Sequence, residues 1–212
     1  MIKKIFFILI ITLVFSCKKK KNLLITVNEI PLIQYYRIDQ KNIAIISSDF
    51  HMSLKEQELT KNGIRLALNY NYENSKNEFI KALTINPKSC ITLNNLGNLE
   101  VIMKKFPKAI DYYKKSITLS DSTYYPAILN LGKIYGFLGE DKKADKHYNY
   151  IIKKSEIDFL IGISYLGLSE MYLDYGWIDK AKLSIDMSES ILINYHDFGS
   201  QIDILKKKIK EY

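Results

Sequence analysis

The sequence predicts an all-α chain: a solenoid of four helix-turn-helix repeats closed by a C-terminal capping helix, preceded by an N-terminal signal segment and a tether. Three observations lead there. Small residues recur at Gly63, Gly97, Gly132 and Ser169, at intervals of 34, 35 and 37 residues. Three further columns keep the same intervals: Ser75, Ala109, Ala144 and Ala181; Phe79, Tyr113, Tyr148 and Ile185; Leu59, Leu93, Ile128 and Tyr165. Columns that share one set of insertions mark an internal repeat. Finally, Ile202, Leu205, Ile209 and Tyr212 fall on one helical face, with Lys206, Lys207, Lys208 and Lys210 on the others. Repeat stacks need such an amphipathic helix to close an apolar end.

Composition agrees. The 212 residues are 47% hydrophobic and 25% charged, enough for a core and against wholesale disorder. Two cysteines exclude a disulfide scaffold and a thiolate zinc site. The three histidines, 51, 147 and 196, are scattered, and no cofactor or metal set is expected. The formal charge of +8 is compatible with nucleic acid or an anionic membrane, and the N-terminus decides between them.

Residues 1–16 read as a signal peptide. Lys3 and Lys4 precede an apolar run from Ile5 to Phe15, too short to span a bilayer and of secretory proportions. Val14-Phe15-Ser16-Cys17 resembles the lipobox of bacterial lipoproteins. That resemblance implies cleavage before Cys17 and lipidation of its thiol, palmitate being one of the chains. The rival reading is an uncleaved signal anchor. Lys18, Lys19, Lys20 and Lys21 then lie beside the lipid, where basic side chains favour anionic headgroups. An exported chain does not meet nucleic acid, and none is expected as partner. Residue 18 is Lys rather than the Asp that retains lipoproteins in the inner membrane of enteric bacteria. The expected address is therefore the bacterial cell envelope, lipid-anchored to the outer membrane and facing the periplasm.

Residues 17–53 form the lipidated Cys and tether. Leu23–Val27 and Ile43–Ile46 look like short strands by their β-branching, and Pro31 breaks any helix. The segment reads equally as a hairpin, a strand packed on the body, or a linker. Asp49 and His51 lack a third group to orient the imidazole, so they make a poor catalytic pair.

Residues 54–195 hold the four repeats, at about 56–89, 90–123, 125–158 and 162–195. Ser53-Leu54-Lys55-Glu56 is a capping box for the first helix. The first copy supplies Leu59, Gly63, Tyr72, Phe79, Ala82 and Pro87; the second Leu93, Leu96, Gly97, Phe106, Ala109 and Tyr113. The third supplies Ile128, Leu131, Gly132, Tyr135, Gly139, Ala144 and Tyr148; the fourth Tyr165, Leu168, Tyr172, Gly176, Ile178 and Ala181. This pattern resembles the tetratricopeptide repeat, whose period is 34 residues. Asn62 in a Leu column, Asp141 in an aromatic column and a final Pro at Pro87 alone depart from it. Gly97 and Ala109 read as a close helix approach, with the aromatic of the third column filling the gap beside it. Residues 196–212 form the cap; a basic membrane-binding helix is the rival.

The first helices of stacked pairs line a groove, and the resemblance implies that peptides or partner segments bind there. Asn94 and Asn98 share a face at i, i+4. Asn130 and Lys133 take nearby positions in the next copy, and Glu170 and Asp174 continue the line. Amides both donate and accept, so they suit an extended peptide backbone; the same residues also read as ordinary polar positions. Cys90 reads as a small buried residue, and Trp177 as either core or interface. The chain carries no P-loop, G-x-S-x-G, H-E-x-x-H or CxxC, and no enzyme is expected. The function expected is a membrane-anchored protein–protein interaction scaffold of the envelope, with envelope proteins or peptides as partners. The alternative is a non-enzymatic regulatory or sensor subunit that binds a peptide or glycan.

Overall fold

The computed structural model describes residues 52–195 and 198–212. The chain divides into two units, Met1–Pro31 and Leu32–Tyr212, and the first lies wholly outside the described residues. So do the expected signal peptide 1–16, Cys17, Lys18 to Lys21, the short strands of the tether, and Asp49 with His51.

The described residues are helical, without a strand. In chain order the helices are α1 (Leu54–Leu68), α2 (Tyr72–Ile85), α3 (Cys90–Ile102), α4 (Phe106–Leu119), α5 (Tyr125–Phe137), α6 (Asp141–Lys154), α7 (Asp158–Asp174), α8 (Ile178–Leu192) and α9 (Gly199–Lys210). They pack as successive pairs, α1 with α2, α3 with α4, α5 with α6 and α7 with α8. The second helix of each pair meets the first helix of the next, and α9 lies on α7 and α8.

Local sequence sets the ends of these helices. Ser53 Oγ accepts the Glu56 N–H at 3.2 Å, and Ser89 Oγ accepts the Thr92 N–H at 3.2 Å, each satisfying a donor that the first turn leaves open. The reciprocal half of the expected capping box is replaced: the Glu56 carboxylate is buried and accepts from Asn86 Nδ2 at 3.2 Å. A tertiary partner at the end of α2 wins over the local one. Pro107 and Pro126 sit in the first turns of α4 and α5, where a missing N–H costs nothing.

The repeat columns turn out to be the contacts within pairs. A Cβ added at Gly97 would lie 2.4 Å from the Tyr113 ring, and one at Gly63 2.6 Å from the Phe79 ring. Tyr113, Phe79, Ala109 and Ala82 are at most 1% exposed. Serines tie the pairs further: Ser75 Oγ donates to the Gly63 carbonyl at 2.7 Å, Ser116 Oγ to that of Cys90 at 2.7 Å, and Ser188 Oγ to that of Gly162 at 3.0 Å. Between pairs, Ile64, Ala67 and Phe79 of the first meet Leu96 and Leu99 of the second in one apolar cluster.

The cap is as expected on Ile202, Leu205 and Ile209, all buried, but not on Tyr212, which is 79% exposed. Helix α9 ends at Lys210, so the spacing no longer holds Tyr212 on the apolar face.

Candidate partner-binding face

The first helices α1, α3, α5 and α7 bring their polar column residues together side by side. Asn130 Nδ2 on α5 donates to Asn94 Oδ1 at 3.0 Å and to Asn98 Oδ1 at 3.1 Å on α3. The Tyr113 hydroxyl donates to Asn98 Oδ1 at 2.8 Å. The structure therefore collects the three expected asparagines in one cluster, but buries each to 3% exposure or less. Their amides bridge neighbouring repeats. Within the cluster one polar atom, Asn130 Oδ1, is buried without a hydrogen-bond partner. On α1 and α3, Thr60 and Thr92 make the equivalent bridge, Oγ1 to Oγ1 at 3.2 Å.

Lys133, one turn beyond Asn130 on α5, is partly buried. Burial pushes its ammonium down to about 8, and the nearby Glu170 opposes that fall. Burial in turn raises the Glu170 carboxyl; Gln201 Nε2, donating to Glu170 Oε1 at 2.6 Å, and Lys133 pull it back. Asp174, at the end of α7, is exposed and adds like charge to Glu170. Lys133, Glu170 and Asp174 thus form a charged end to the face, and α9 contributes Gln201. Sequence reasoning missed Gln201 because it treated the cap as closure only. Alongside the charges the same helices carry apolar groups: Ile91 and Val101 on α3, Leu129 on α5, Ile163 and Leu166 on α7, all buried.

Elsewhere, Lys76 on α2 pairs with Glu100 on α3 at 2.8 Å, and the Glu100 side chain is fully buried. This ion pair joins two repeats. Cys90 is buried, and loss of solvation pushes its thiol up to about 11, the opposite of an activated nucleophile. Trp177 is 48% exposed. Its ring lies 5.7 Å from both Tyr172 and Tyr175, with Lys180 Nζ 4.7 Å above it, so it belongs to a surface aromatic cluster rather than the core. Among the described residues no group of three or more His, Cys, Asp or Glu could hold a metal ion, and no helix is long and apolar enough to cross a membrane.

Comparisons with known proteins fit this geometry. The tetratricopeptide repeat model matches residues 92–123, which is the α3–α4 pair from Thr92 on, together with the turn that follows α4. A TPR repeat-containing protein of Methanocaldococcus jannaschii is 27% identical over 152 residues, 72% of this chain and 25% of that protein. The chain thus spans about a quarter of that curated relative's length. Among solved structures, the chain is similar to PilW, a widely conserved type IV pilus biogenesis factor. The identity is 14% and the TM-score 0.40, over 76% of this chain and 91% of that chain. One helix pair thus matches the tetratricopeptide repeat model, and the neighbouring pairs repeat its small-residue and aromatic columns.

Proposed function

We propose that the chain is a membrane-anchored protein–protein interaction scaffold of the bacterial cell envelope, holding partner segments along the face of α1, α3, α5 and α7. Its carrying observation is the charged end formed by the partly buried Lys133 and Glu170 and the exposed Asp174 on the first helices α5 and α7. Charges at one end of a groove give a partner segment its register and orientation. Lipid on Cys17, with Lys18 to Lys21 at the headgroups, anchors the scaffold to the outer membrane on its periplasmic side. One acyl chain binds a membrane only marginally, so a stable anchor needs the two or more chains of a lipoprotein. The helical-repeat architecture supports a protein-binding role, because its side chains serve packing and recognition.

A crosslinking pulldown tests the reading. The bait is residues 18–212 in envelope extract, beside a Lys133→Glu and Asp174→Lys double variant. Partly exposed charges are chosen because alanine at the buried asparagines would disturb the stack itself. An envelope protein captured by the parent and lost by the variant supports both the role and the face. Equal capture by both moves the contact elsewhere, and capture of nothing overturns the scaffold in favour of a peptide or glycan sensor. In the full chain, Cys17→Ser releases the protein from membranes if the thiol is the anchor.

A further inference from the structure

The turn between α7 and α8 leaves aromatic surface half outside the packing. Trp177, the single Trp of the chain, caps the start of α8 and is 48% exposed. Aromatic rings of this size gain most when they are fully covered. Tyr172, in the last turn of α7, and Tyr175, just past its end, are partly buried. Their ring centroids each lie 5.7 Å from that of Trp177, with planes tilted to it by 40° and 42°. The rings therefore meet at an angle and form a cleft rather than a flat stack. The approach beside Trp177 is open, since a Cβ added at Gly176 would meet nothing within 4 Å.

This surface already holds a cation. Lys180 Nζ lies 4.7 Å from the Trp177 ring centroid and 5.5 Å from that of Tyr172. An ammonium over an aromatic face is drawn by the negative charge of the ring quadrupole. The two phenols are tied so as to deepen that attraction. The Tyr172 hydroxyl donates to Asp145 Oδ1 at 2.6 Å, and the Tyr175 hydroxyl donates to Asp141. Each bond sets a carboxylate at the rim of a ring and polarises the phenol toward its face. Burial and these carboxylates raise both hydroxyls above their ordinary range, so both remain protonated donors. Asp174 adds a third negative charge near Tyr175. Lys180 itself is exposed, and an ammonium in water can leave such a contact at small cost.

We propose that Tyr172, Tyr175 and Trp177 form a docking cleft for a lysine side chain of a partner segment, and that Lys180 holds the place of that side chain in the free chain. Lys180 identifies the ligand class, a primary ammonium on an alkyl stem. The stem covers apolar ring surface while the head meets the quadrupoles. The charge balance agrees, because three carboxylates attend the rings. A primary ammonium also keeps three N–H donors for acceptors at the rim, which a quaternary one lacks. Asp174 adjoins Tyr175 in the chain, so the cleft continues the charged end of the α5 and α7 face. That the lysine belongs to a partner protein rests on the scaffold reading; that the cleft takes a lysine does not.

Fluorescence of the full chain tests it, because Trp177 is its only indole. The probe is an acetylated and amidated pentalysine peptide, titrated at fixed ionic strength. The control is the same peptide with every side-chain amine acetylated. The expected result is a saturable change in Trp177 emission with the first peptide and none with the second. Lys180→Met removes the competing ammonium and keeps an apolar stem, so it should lower the half-saturating concentration by about twofold to fivefold. Lys182→Met removes the same charge from an exposed position two residues on and should leave that concentration unchanged. No saturable change, an equal response to the acetylated peptide, or equal effects of the two Lys→Met variants overturns the proposal. Tetramethylammonium chloride is the last arm; saturation by it at a lower concentration of ammonium groups overturns the lysine assignment in favour of a quaternary ligand. The titration needs no envelope partner, so its failure leaves the scaffold reading standing, while failure of the pulldown leaves the cleft standing.

Discussion

At the scale of single residues, the fold is held by a small residue and an aromatic ring within each pair. The sequence announced this, because Gly63 and Phe79 recur in register as Gly97 and Tyr113. The structure adds that the fit differs between pairs. The nearest contact for a Cβ is 2.4 Å at Gly97 but 3.2 Å at Gly132. At Gly132 that nearest atom is the His147 Cβ, and the Tyr148 ring stands back at 3.4 Å; the same ring lies close to Gly167 of α7, where a Cβ would meet it at 2.7 Å. Gly97→Ala should therefore destabilise by about 1–3 kcal/mol, since the Tyr113 ring is enclosed and cannot retreat. Gly132→Ala should cost less than about 1 kcal/mol, the helical preference of Ala offsetting part of the crowding. Urea unfolding of the two variants decides it, and an equal loss would show that ring enclosure is not what sets the cost. The asparagine cluster was only half legible. Helical spacing placed Asn94 and Asn98 on one face, but spacing cannot say what stands opposite. Asn130, 36 residues after Asn94, closes them off from the partner they were expected to hold.

At the scale of elements, the turn inside each pair follows one design, partly hidden in the sequence. Gly139 and Gly176 read as breakers, and both adopt positive φ, 76° and 70°. Tyr70 and Lys104 hold the same register and also have positive φ, 60° and 59°. In all four turns the next N–H bonds a carbonyl five residues back: Asn71 to Leu66, Lys105 to Glu100, Glu140 to Tyr135 and Trp177 to Tyr172. This is the Schellman closure of a helix end. Propensity gave no sign of it at Tyr70 or Lys104, because side chains disfavour the left-handed region by about 1–2 kcal/mol. The packing of both helices imposes it there. Lys104 is exposed, so Lys104→Gly relieves the strain without loss of packing. The expected gain is about 0.5–1 kcal/mol, after the greater freedom of Gly in the unfolded chain is deducted. Gly176→Ala should lose about 1 kcal/mol by the same reasoning in reverse. Denaturant midpoints check both, and destabilisation by Lys104→Gly would mean the turn carries no strain.

At the scale of the whole repeat unit, stability is built from neighbours, and the cap shows how far that locality extends. Helix α9 buries Ile202, Leu205 and Ile209 and reaches back through Gln201 to Glu170 and Lys206 to Glu189. Its amphipathic spacing made it legible, while these polar ties were not, since each partner lies in an earlier helix. In a stack where each pair touches only the next, removing an end element lowers stability nearby and leaves distant pairs intact. A chain ending at Tyr195 should therefore lose amide-exchange protection in α7 and α8 first, where α9 packs and Gln201 holds the Glu170 carboxylate. Protection in α1 to α3 should stay within error of the full chain. The uncovered apolar face should also drive self-association, visible by light scattering. Uniform loss of protection from α1 to α8 would instead show the repeats unfolding as one cooperative unit, with α9 completing a common core rather than closing one end of a stack.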